Sequence, residues 1–368
     1  MPPMLLIPKV FDRYTISEFA KYLVIFTLGV IFIFVIVNFF ERIDAFMEHK
    51  TPFSLILKYY AYQTPYLFVL LLPVAELLAA FFSIGEMARM RELLAVKAAG
   101  VDIRRIFLPI LLFGLLNSLA SFLVSGYVAG EGMRRAYEIW AVKVKGRAKA
   151  IRKSYATNVA FIGQNGRFFY FKTINSITNT ATGIMVVEFQ NGEIRRRLDA
   201  RRGEYKNGYW RFFDGVERRF SENGEEFAAI SFRKMDFRDI TDSPFDLMKA
   251  RYDLTQMNLT ALKNYISTLK KAGLDATEAL VEFQTRFSFP FINFVILIFA
   301  LPIAASMRGH GRAYGFGIAV ALSFIYWNIL QVFKVLGEVG RLKPLLAAWT
   351  PNGLFLIVGL YLMVKVHR

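Results

Sequence analysis

Six long apolar runs constrain this chain more than any other feature of its sequence. Each is close to the length of about 20 residues that a helix needs to cross the hydrocarbon core of a bilayer. With 55% hydrophobic residues, the 368-residue chain is also more apolar than an ordinary soluble protein. The sequence therefore predicts a membrane α-helical protein with six transmembrane helices. These are Tyr22–Phe40, Tyr59–Phe82, Ile106–Gly130, Phe287–Met307, Ala313–Phe333 and Pro344–Val364.

The polar residues between the third and fourth runs predict an inserted domain. We divide the chain into residues 1–130 with three spans, residues 131–283 with the inserted domain and its helical connectors, and residues 284–368 with three more spans. Asn-Gly pairs, the strongest local signal for a hairpin turn, recur in the domain, and Asp214-Gly215 is another turn candidate. Short strand-like segments flank them, which predicts an antiparallel sandwich or an open roll. The Asn-Gly pairs are Asn165-Gly166, Asn191-Gly192, Asn207-Gly208 and Asn223-Gly224.

The distribution of Lys and Arg in the short connections predicts the orientation, because these residues are retained on the cytoplasmic side. One side carries twelve of them, including the pair Arg104 and Arg105, and the other side carries six, including Lys334. Both termini and the connection between the second and third spans are therefore expected in the cytoplasm. The inserted domain is expected outside it. The absence of cysteine and of eukaryotic sorting signals favours a bacterial inner membrane.

Several kinds of chemistry are missing from the sequence. It has no G-x-x-x-x-G-K-[ST] phosphate-binding loop and no H-E-x-x-H metal motif. Three histidines, His49, His310 and His367, do not provide a Ser/His/Asp set. We therefore expect no catalytic site, no metal and no cofactor. The net charge of +17 implies an anionic partner, but a domain outside the cytoplasm rarely meets nucleic acid, so we predict no nucleic-acid binding.

Two basic runs lie in the inserted domain, Arg195–Arg197 and Arg201–Arg202. Side chains alternate between the two faces of a strand, so some of these arginines are expected to face solvent or phosphate. A solvated basic face and a phosphate-binding face remain equal alternatives for any one of them.

The segment Ser83–Gly100 (SIGEMARMRELLAVKAAG) lies between the second and third runs and has helical spacing. At about 100° per residue, Glu86, Arg89 and Glu92 fall on one arc and most apolar residues fall opposite. Leu93 breaks this pattern because it projects from the charged side. Two interpretations are open. One is an interfacial helix that joins two spans, and the other is a helix that inserts charge and a hydrophobic side chain into a partner's groove.

Ionisable and polar residues also occur at membrane depth, where they are costly unless they are paired or functional. Glu76, the deepest, is expected to face other helices rather than lipid. A second group lies at the outer ends of spans, where cations can contact lipid phosphates or simply extend to the interface. This group is Asn38, Glu41, Arg42, Asp44, Arg134, Arg135 and Lys334.

Several stretches in this order resemble the signatures of one family. They are FDRYTISEF, the prolines Pro65 and Pro73, RELLAVKAAGVDIRRI, EFQTRFSFP and KPLLAAWTPNGLF. The chain is similar to the LptF/LptG (YjgP/YjgQ) permease subunits of the lipopolysaccharide exporter over nearly its whole length. The stretch YYAYQTPYLFVLLLPVAELLA is more similar to the LptG branch. The resemblance implies six spans with an inserted periplasmic antiparallel β-jellyroll domain.

In that family, the cytoplasmic helix between the second and third spans is the coupling helix that docks in a groove of the ATPase LptB. Its key acid lies in an E-L-x-x-x-x-x-x-G context, which matches Glu92 and the following Leu93. The resemblance therefore implies ATPase-coupling roles for Glu92 and Leu93, with lesser roles for Glu86, Arg89 and Arg91.

Family members also bind lipopolysaccharide in a cavity between two permease subunits, entered through gates formed by the first and fifth spans. Position along the spans points to Asn38, Glu41, Arg42, Asp44 and Lys334 as lipopolysaccharide-binding residues. Some LptG relatives carry lysines where this chain has Asn38 and Tyr66. Phosphate contacts are therefore also expected at Arg134 and Arg135.

The resemblance implies a permease subunit that extracts lipopolysaccharide from the inner membrane and delivers it to a periplasmic β-jellyroll bridge. The implied partners are an LptF-like second subunit, an LptB-like ATPase dimer, a single-span LptC-like protein and an LptA-like bridge. ATP hydrolysis is expected in the ATPase and not in this chain. The alternative is a membrane-anchored scaffold that holds an anionic envelope polymer or lipid without transporting it.

Overall fold

The computed structural model describes residues 9–144, 155–162, 167–190, 193–221, 225–244, 247, 254–271, 273–307 and 311–367. Contacts divide the chain into two units. A helical unit contains residues 1–137, 255–263 and 276–368, and a β unit contains residues 138–254 and 264–275. The third span continues through Glu138, past the end of the run at Gly130 that the sequence predicted.

Nine α-helices are described. They are α1 Lys9–Glu48, α2 Phe53–Arg89, α3 Glu92–Ala98, α4 Ile103–Leu123, α5 Gly130–Glu138, α6 Leu259–Lys271, α7 Thr277–Ala305, α8 Arg312–Glu338 and α9 Pro344–His367. A π-helical turn, Val124–Ala129, joins α4 to α5, and a second one, Ile139–Val144, follows α5. Six helical stretches are long and apolar enough to cross a membrane. The six predicted spans are confirmed.

The second and fourth spans, α2 and α7, form the centre of the helical unit. In the most apolar stretch of each, 72% of the residues are buried, against 11% in α1 and 17% in α8. Close packing of the sixth span, α9, on α7 requires a glycine. A Cβ on Gly359 would lie 3.0 Å from the backbone nitrogen of Phe299.

Polar side chains inside the helical unit are paired between helices. Asn117 on α4 donates a 2.7 Å hydrogen bond to Oε1 of the fully buried Glu76 on α2. Asn293 on α7 donates to the Ser121 hydroxyl on α4 at 2.9 Å. Because unpaired polar groups are costly in an apolar interior, these bonds fix how the central helices face one another. Glu76 faces other helices, as the sequence predicted.

The β unit contains one six-stranded antiparallel sheet in the order β1-β2-β3-β4-β5-β6. The strands are β1 Tyr155–Ile162, β2 Phe168–Asn175, β3 Thr180–Gln190, β4 Glu193–Lys206, β5 Tyr209–Phe220 and β6 Glu226–Phe237. The predicted antiparallel insertion is confirmed. Every described strand pairs with its neighbour in sequence, which is a simpler order than a Greek key. Short hairpin connections favour this simpler order.

The turn predictions have mixed outcomes. Asn207 (φ +58°) and Gly208 (φ +85°) form the turn between β4 and β5, as predicted. The Asp214-Gly215 prediction is wrong, because both residues lie inside β5. Asp214 has the positive φ (+51°) that the pair favours, but it bends a strand instead of ending it. The other three Asn-Gly pairs lie outside the described residues.

One bend crosses the sheet from strand to strand. The strand pairing skips one row of residues, which lies between two paired rows. One paired row is Phe171, Ile184, Ala200, Gly215 and Phe232, and the other is Thr173, Thr182, Arg202, Phe213 and Lys234. We call this skipped row the crease; its members are Lys172, Gly183, Arg201, Asp214 and Arg233. Gly183 (φ +56°) and Asp214 both have positive φ, a conformation that interrupts the extended backbone.

The crease changes which residues face the core. In a regular strand, residues two apart share a face, but here buried residues on opposite sides of the crease are three apart. They are Phe171 and Ile174, Ala181 and Ile184, and Ala200 and Gly203. The aromatic core, which contains the stacked rings of Phe171, Trp210 and Phe212, therefore continues across the bend.

Candidate functional site

The segment Ser83–Gly100 is not one helix, so that prediction is wrong. Helix α2 continues to Arg89, and the seven-residue α3 begins at Glu92. Arg91 between them has φ +63°, a left-handed conformation that no α-helix contains. The chain therefore changes direction immediately before Glu92.

The change of direction explains the apolar residue that did not fit the helical pattern. Leu93 is only 2% exposed and belongs to the core of the helical unit, and Val96 packs against the same core. The exposed apolar side chains of the segment are Met90 (58%) and Leu94 (45%). A hydrophobic contact with a partner would therefore involve Met90 and Leu94, which the sequence did not single out.

The charged residues of this segment contact the first and fifth spans. Glu86 accepts hydrogen bonds from Arg89 at one turn's distance and from Arg312, at the start of α8, at 3.1 Å. Glu92 accepts a 3.3 Å hydrogen bond from the hydroxyl of Tyr14 on α1. Among the predicted coupling residues, Glu86 and Glu92 thus connect the segment to two other helices. The sequence did not identify Arg312 and Tyr14 as the partners of these two carboxylates.

The predicted headgroup residues of α1 lie beside tyrosines of α2. The Tyr60 hydroxyl donates to Oδ1 of Asn38 at 3.3 Å, and the Arg42 guanidinium lies 5.7 Å from the centre of the Tyr59 ring, a cation–π distance. Glu41 and Asp44 are exposed on α1.

Arg134 and Arg135 on α5 share one carboxylate. Glu131 accepts hydrogen bonds from Arg134 (2.7 Å) and Arg135 (2.9 Å). The Arg135 guanidinium also lies 5.5 Å from the centre of the Tyr62 ring. The two arginines keep a net positive charge, but a phosphate group would have to compete with Glu131.

Lys334 on α8 is held by carboxylates. It donates a 2.9 Å hydrogen bond to Glu282 on α7 and lies 3.8 Å from Glu338. Arg286, only 6% exposed, lies 3.6 Å from the other oxygen of Glu282. Glu282 and Arg286 were visible in the sequence as part of EFQTRFSFP, but their connection to the fifth span was not.

The tyrosines of α2 connect the predicted headgroup residues to one another. Tyr59 and Tyr60 contact Arg42 and Asn38 of α1, and Tyr62 contacts Arg135 of α5. The tyrosine-rich sequence YYAYQTPY was the available signal. Its role in positioning these residues becomes clear only from the packing of the helices.

A cavity of about 170 Å³ lies deeper in the helical unit, between α2, α7 and α8. Its walls are mainly apolar and include Pro73, Phe289 and Trp327. Such a lining suits hydrocarbon rather than a polar group. Across the described part of the chain, no group of three or more His, Asp or Glu residues could hold a metal ion.

Ion pairs within and between strands occupy most of the described arginines of the β unit. Asp199 pairs with Arg197 and Arg218, both at 2.8 Å. Arg211 hydrogen-bonds Asp236 and lowers the pKa of that carboxyl to about 2. The prediction that the basic runs alternate faces fails at Arg201–Arg202, because both are exposed. The crease between Ala200 and Gly203 interrupts the alternation there.

The structure thus defines a class: a multi-span membrane protein in which an antiparallel β unit is inserted between the third and fourth of six spans. Residues 13–365 match the lipopolysaccharide export system permease family LptF/LptG, and the chain belongs to this family. It is 22% identical over 302 residues to the lipopolysaccharide export system permease protein LptG of Escherichia coli strain K12, covering 80% of this chain and 81% of that protein. LptG of Escherichia coli O6:H1 gives the same values.

Proposed function

We propose that the chain is the LptG-like permease subunit of an ABC-type exporter that extracts lipopolysaccharide from the bacterial inner membrane. The main support, beyond the family itself, is the unequal burial of its spans. The first and fifth spans are largely exposed, with 11% and 17% of their most apolar stretches buried. A second, LptF-like subunit would cover these spans and enclose a cavity for the lipid between the two chains.

The proposed drive comes from a separate, LptB-like ATPase dimer that binds the segment around α3. Met90 and Leu94 supply exposed apolar contacts there, and Glu92 supplies a carboxylate. Movement of this segment would reach the first span through the Tyr14 hydrogen bond and the fifth span through Arg312. These contacts suit an element that transmits motion to the two exposed spans.

The lipid would be held by groups at two depths. The phosphorylated head would contact the predicted headgroup residues. Three of them, Asn38, Arg42 and Arg135, lie beside α2 tyrosines, and the others are Glu41, Asp44, Arg134 and Lys334. The apolar cavity beside Trp327 would accept hydrocarbon. Lys334 would first have to exchange its carboxylate partner Glu282 for phosphate, which favours binding coupled to a movement of α8.

The proposed arrangement has both termini in the cytoplasm and the β unit in the periplasm, following the distribution of Lys and Arg. There the β unit would pass lipopolysaccharide to an LptC-like protein and an LptA-like bridge. The edge strand β6 supports this step. It pairs only with β5 among the described strands, and an unpaired edge can accept a strand from another protein.

The alternative, a scaffold without transport, predicts different partners. Purification of the full chain in mild detergent should recover a soluble ATPase and a second six-span chain if the export proposal holds. A scaffold would recover neither.

The variant Glu92→Ala tests the coupling step. We expect lower ATPase recovery and loss of lipopolysaccharide release in reconstituted vesicles. The melting temperature should not change, because the one side-chain hydrogen bond of Glu92 within the described residues, from Tyr14, is exposed. Tyr14→Phe is the matched control for ATPase binding alone, since it removes the same hydrogen bond but keeps the carboxylate, so ATPase recovery should stay normal. Normal ATPase recovery and normal release with Glu92→Ala would contradict the assignment.

A further inference from the structure

The crease of the β-sheet concentrates positive charge on the face opposite the aromatic core. Because the inward-facing residues are three apart across the bend, two successive residues of each strand face outward instead of one. Five of these outward residues are cations, and all are exposed: Lys172, Arg201, Arg202, Arg233 and Lys234. We call these five residues the crease cations. A regular strand would have turned Arg201 and Arg202 to opposite faces.

Most of the crease cations have no carboxylate partner among the described residues. Within the residues that the structure describes, no ion pair joins Lys172, Arg201 or Arg233 to a carboxylate, whereas Arg202 pairs with Glu204. Asp214 lies between Arg201 and Arg233 in the skipped row, yet it pairs with neither. Its positive φ redirects its side chain relative to the neighbouring strands.

The bend also opens a cavity of about 530 Å³ at this position. Arg201 and Asp214 line it together with Tyr170, Met185 and Val216. Asp199 is also in the lining, but Arg197 and Arg218 neutralise it. The cavity therefore combines an unpaired guanidinium with an aromatic ring and other apolar surface.

We propose that this crease is a binding site for a phosphomonoester carried on a small polar molecule, with Arg201 as its principal contact. A guanidinium recognises phosphate through two parallel hydrogen bonds. Arg233 and Lys172 lie two strands away on either side of Arg201, at roughly 10 Å given strand spacings of about 4.8 Å, and raise the local positive potential. Tyr170 supplies flat apolar surface for a sugar ring. The site does not depend on the proposed transport role.

The test measures binding of two phosphate sources to the full chain in detergent. Inorganic phosphate and glucose 6-phosphate are titrated by calorimetry, with glucose as the uncharged reference. Binding of both with equal affinity assigns the site to phosphate itself, and tighter binding of glucose 6-phosphate assigns it to a sugar phosphate. Failure of both phosphate probes to bind would overturn the proposal.

Two variants with opposite expected effects separate binding from folding. Arg201→Gln should weaken binding roughly tenfold, the lower end of the loss of a charge-assisted hydrogen bond. Asp214→Asn should tighten binding, because it removes a repelling charge and Asn tolerates positive φ. A misfolded sheet would weaken binding in both variants.

Lys206→Gln is the matched control, because Lys206 is an exposed cation on the same strand, β4, but outside the crease. Its affinity should equal that of the wild type. If Lys206→Gln weakens binding as much as Arg201→Gln, or if Asp214→Asn weakens it, the crease is not the site.

Discussion

The fourth and fifth spans are neighbours in sequence but differ in how this chain holds them. Most of the apolar stretch of α7 is buried (72%), whereas little of α8 is (17%). The position of α7 is therefore fixed by the chain's own packing. In contrast, α8 buries few side chains, among them Tyr326, whose hydroxyl donates to Asn352 on α9. Ion pairs contact its two ends, Arg312 with Glu86 at one end and Lys334 with Glu282 at the other.

This difference separates a fixed part of the helical unit from a part that can move. Buried apolar surface contributes about 25 cal/mol per Å², so displacing α7 would expose much of the core. Ion pairs at partly exposed positions contribute far less and can exchange one partner for another. A helix held by such contacts is suited to shift when a ligand or a partner protein competes for its charges.

The largest expected effect on the free energy of unfolding comes from replacing an arginine on each span in turn. Arg286→Met on α7 removes a 6% exposed guanidinium that contacts Glu282 and the carbonyl of Met257. Glu282 keeps Lys334, but the buried Met257 carbonyl loses this donor, so the loss should be about 2 kcal/mol. Arg312→Met on α8 removes a 59% exposed side chain, and Glu86 keeps Arg89, so the loss should stay below about 1 kcal/mol. Thermal unfolding in detergent measures both.

Equal losses from the two arginine variants would contradict the comparison. They would mean that α8 is held as firmly as α7. Arg286→Lys serves as a control for charge alone, because lysine keeps the positive charge but not the guanidinium geometry. It should recover only part of the stability.

The second prediction compares glycines in a packed and an exposed span. Gly359→Ala on α9 would place a Cβ 3.0 Å from the backbone of α7, and backbone cannot move aside as a side chain can. We expect a loss of about 1–3 kcal/mol, typical of overpacking. Gly29→Ala on the exposed α1 has nothing within 4 Å, so the better helix propensity of alanine should leave stability equal or up to about 1 kcal/mol higher.

Unfolding temperatures of the isolated full chain distinguish the two glycine variants. Assembly with a second subunit is a separate measurement, because Gly29 lies on a span that we propose to be covered there. Destabilisation of the isolated chain by Gly29→Ala would show that α1 is packed more tightly than the structure indicates.

The six spans and the antiparallel sheet could be predicted because their signals are local. A run of apolar residues is long enough to cross a bilayer regardless of its neighbours, and Asn207-Gly208 favours a tight turn by its own backbone preferences. Asp214-Gly215 shows where local reasoning ends. The pair favours positive φ in either a turn or a bent strand, and only the pairing of β5 with β4 and β6 decides between them.

The candidate sites were less predictable for a related reason. No glycine or proline marks the break at Arg91, which depends on packing Leu93 into the core of the helical unit. The sequence identified Lys334 as a cation and Glu282 as part of the stretch EFQTRFSFP without connecting them. Fifty-two positions separate the two residues, and only the packing of α8 on α7 brings them together.

The smallest expected effect concerns the ion pair that joins the two compared spans directly. Lys334 and Glu282 are 2.9 Å apart, and the lysine side chain is 25% exposed. A double-mutant cycle with Lys334→Gln and Glu282→Gln should give a coupling free energy of about 1 kcal/mol or less, given the exposure and the competing partners Glu338 and Arg286. Hydrogen exchange should become faster in the Lys334 end of α8 in Lys334→Gln, while α7 stays protected. Equal acceleration in both helices would mean that the ion pair stabilises the whole unit. Acceleration limited to α8 would identify it as the local restraint on the fifth span.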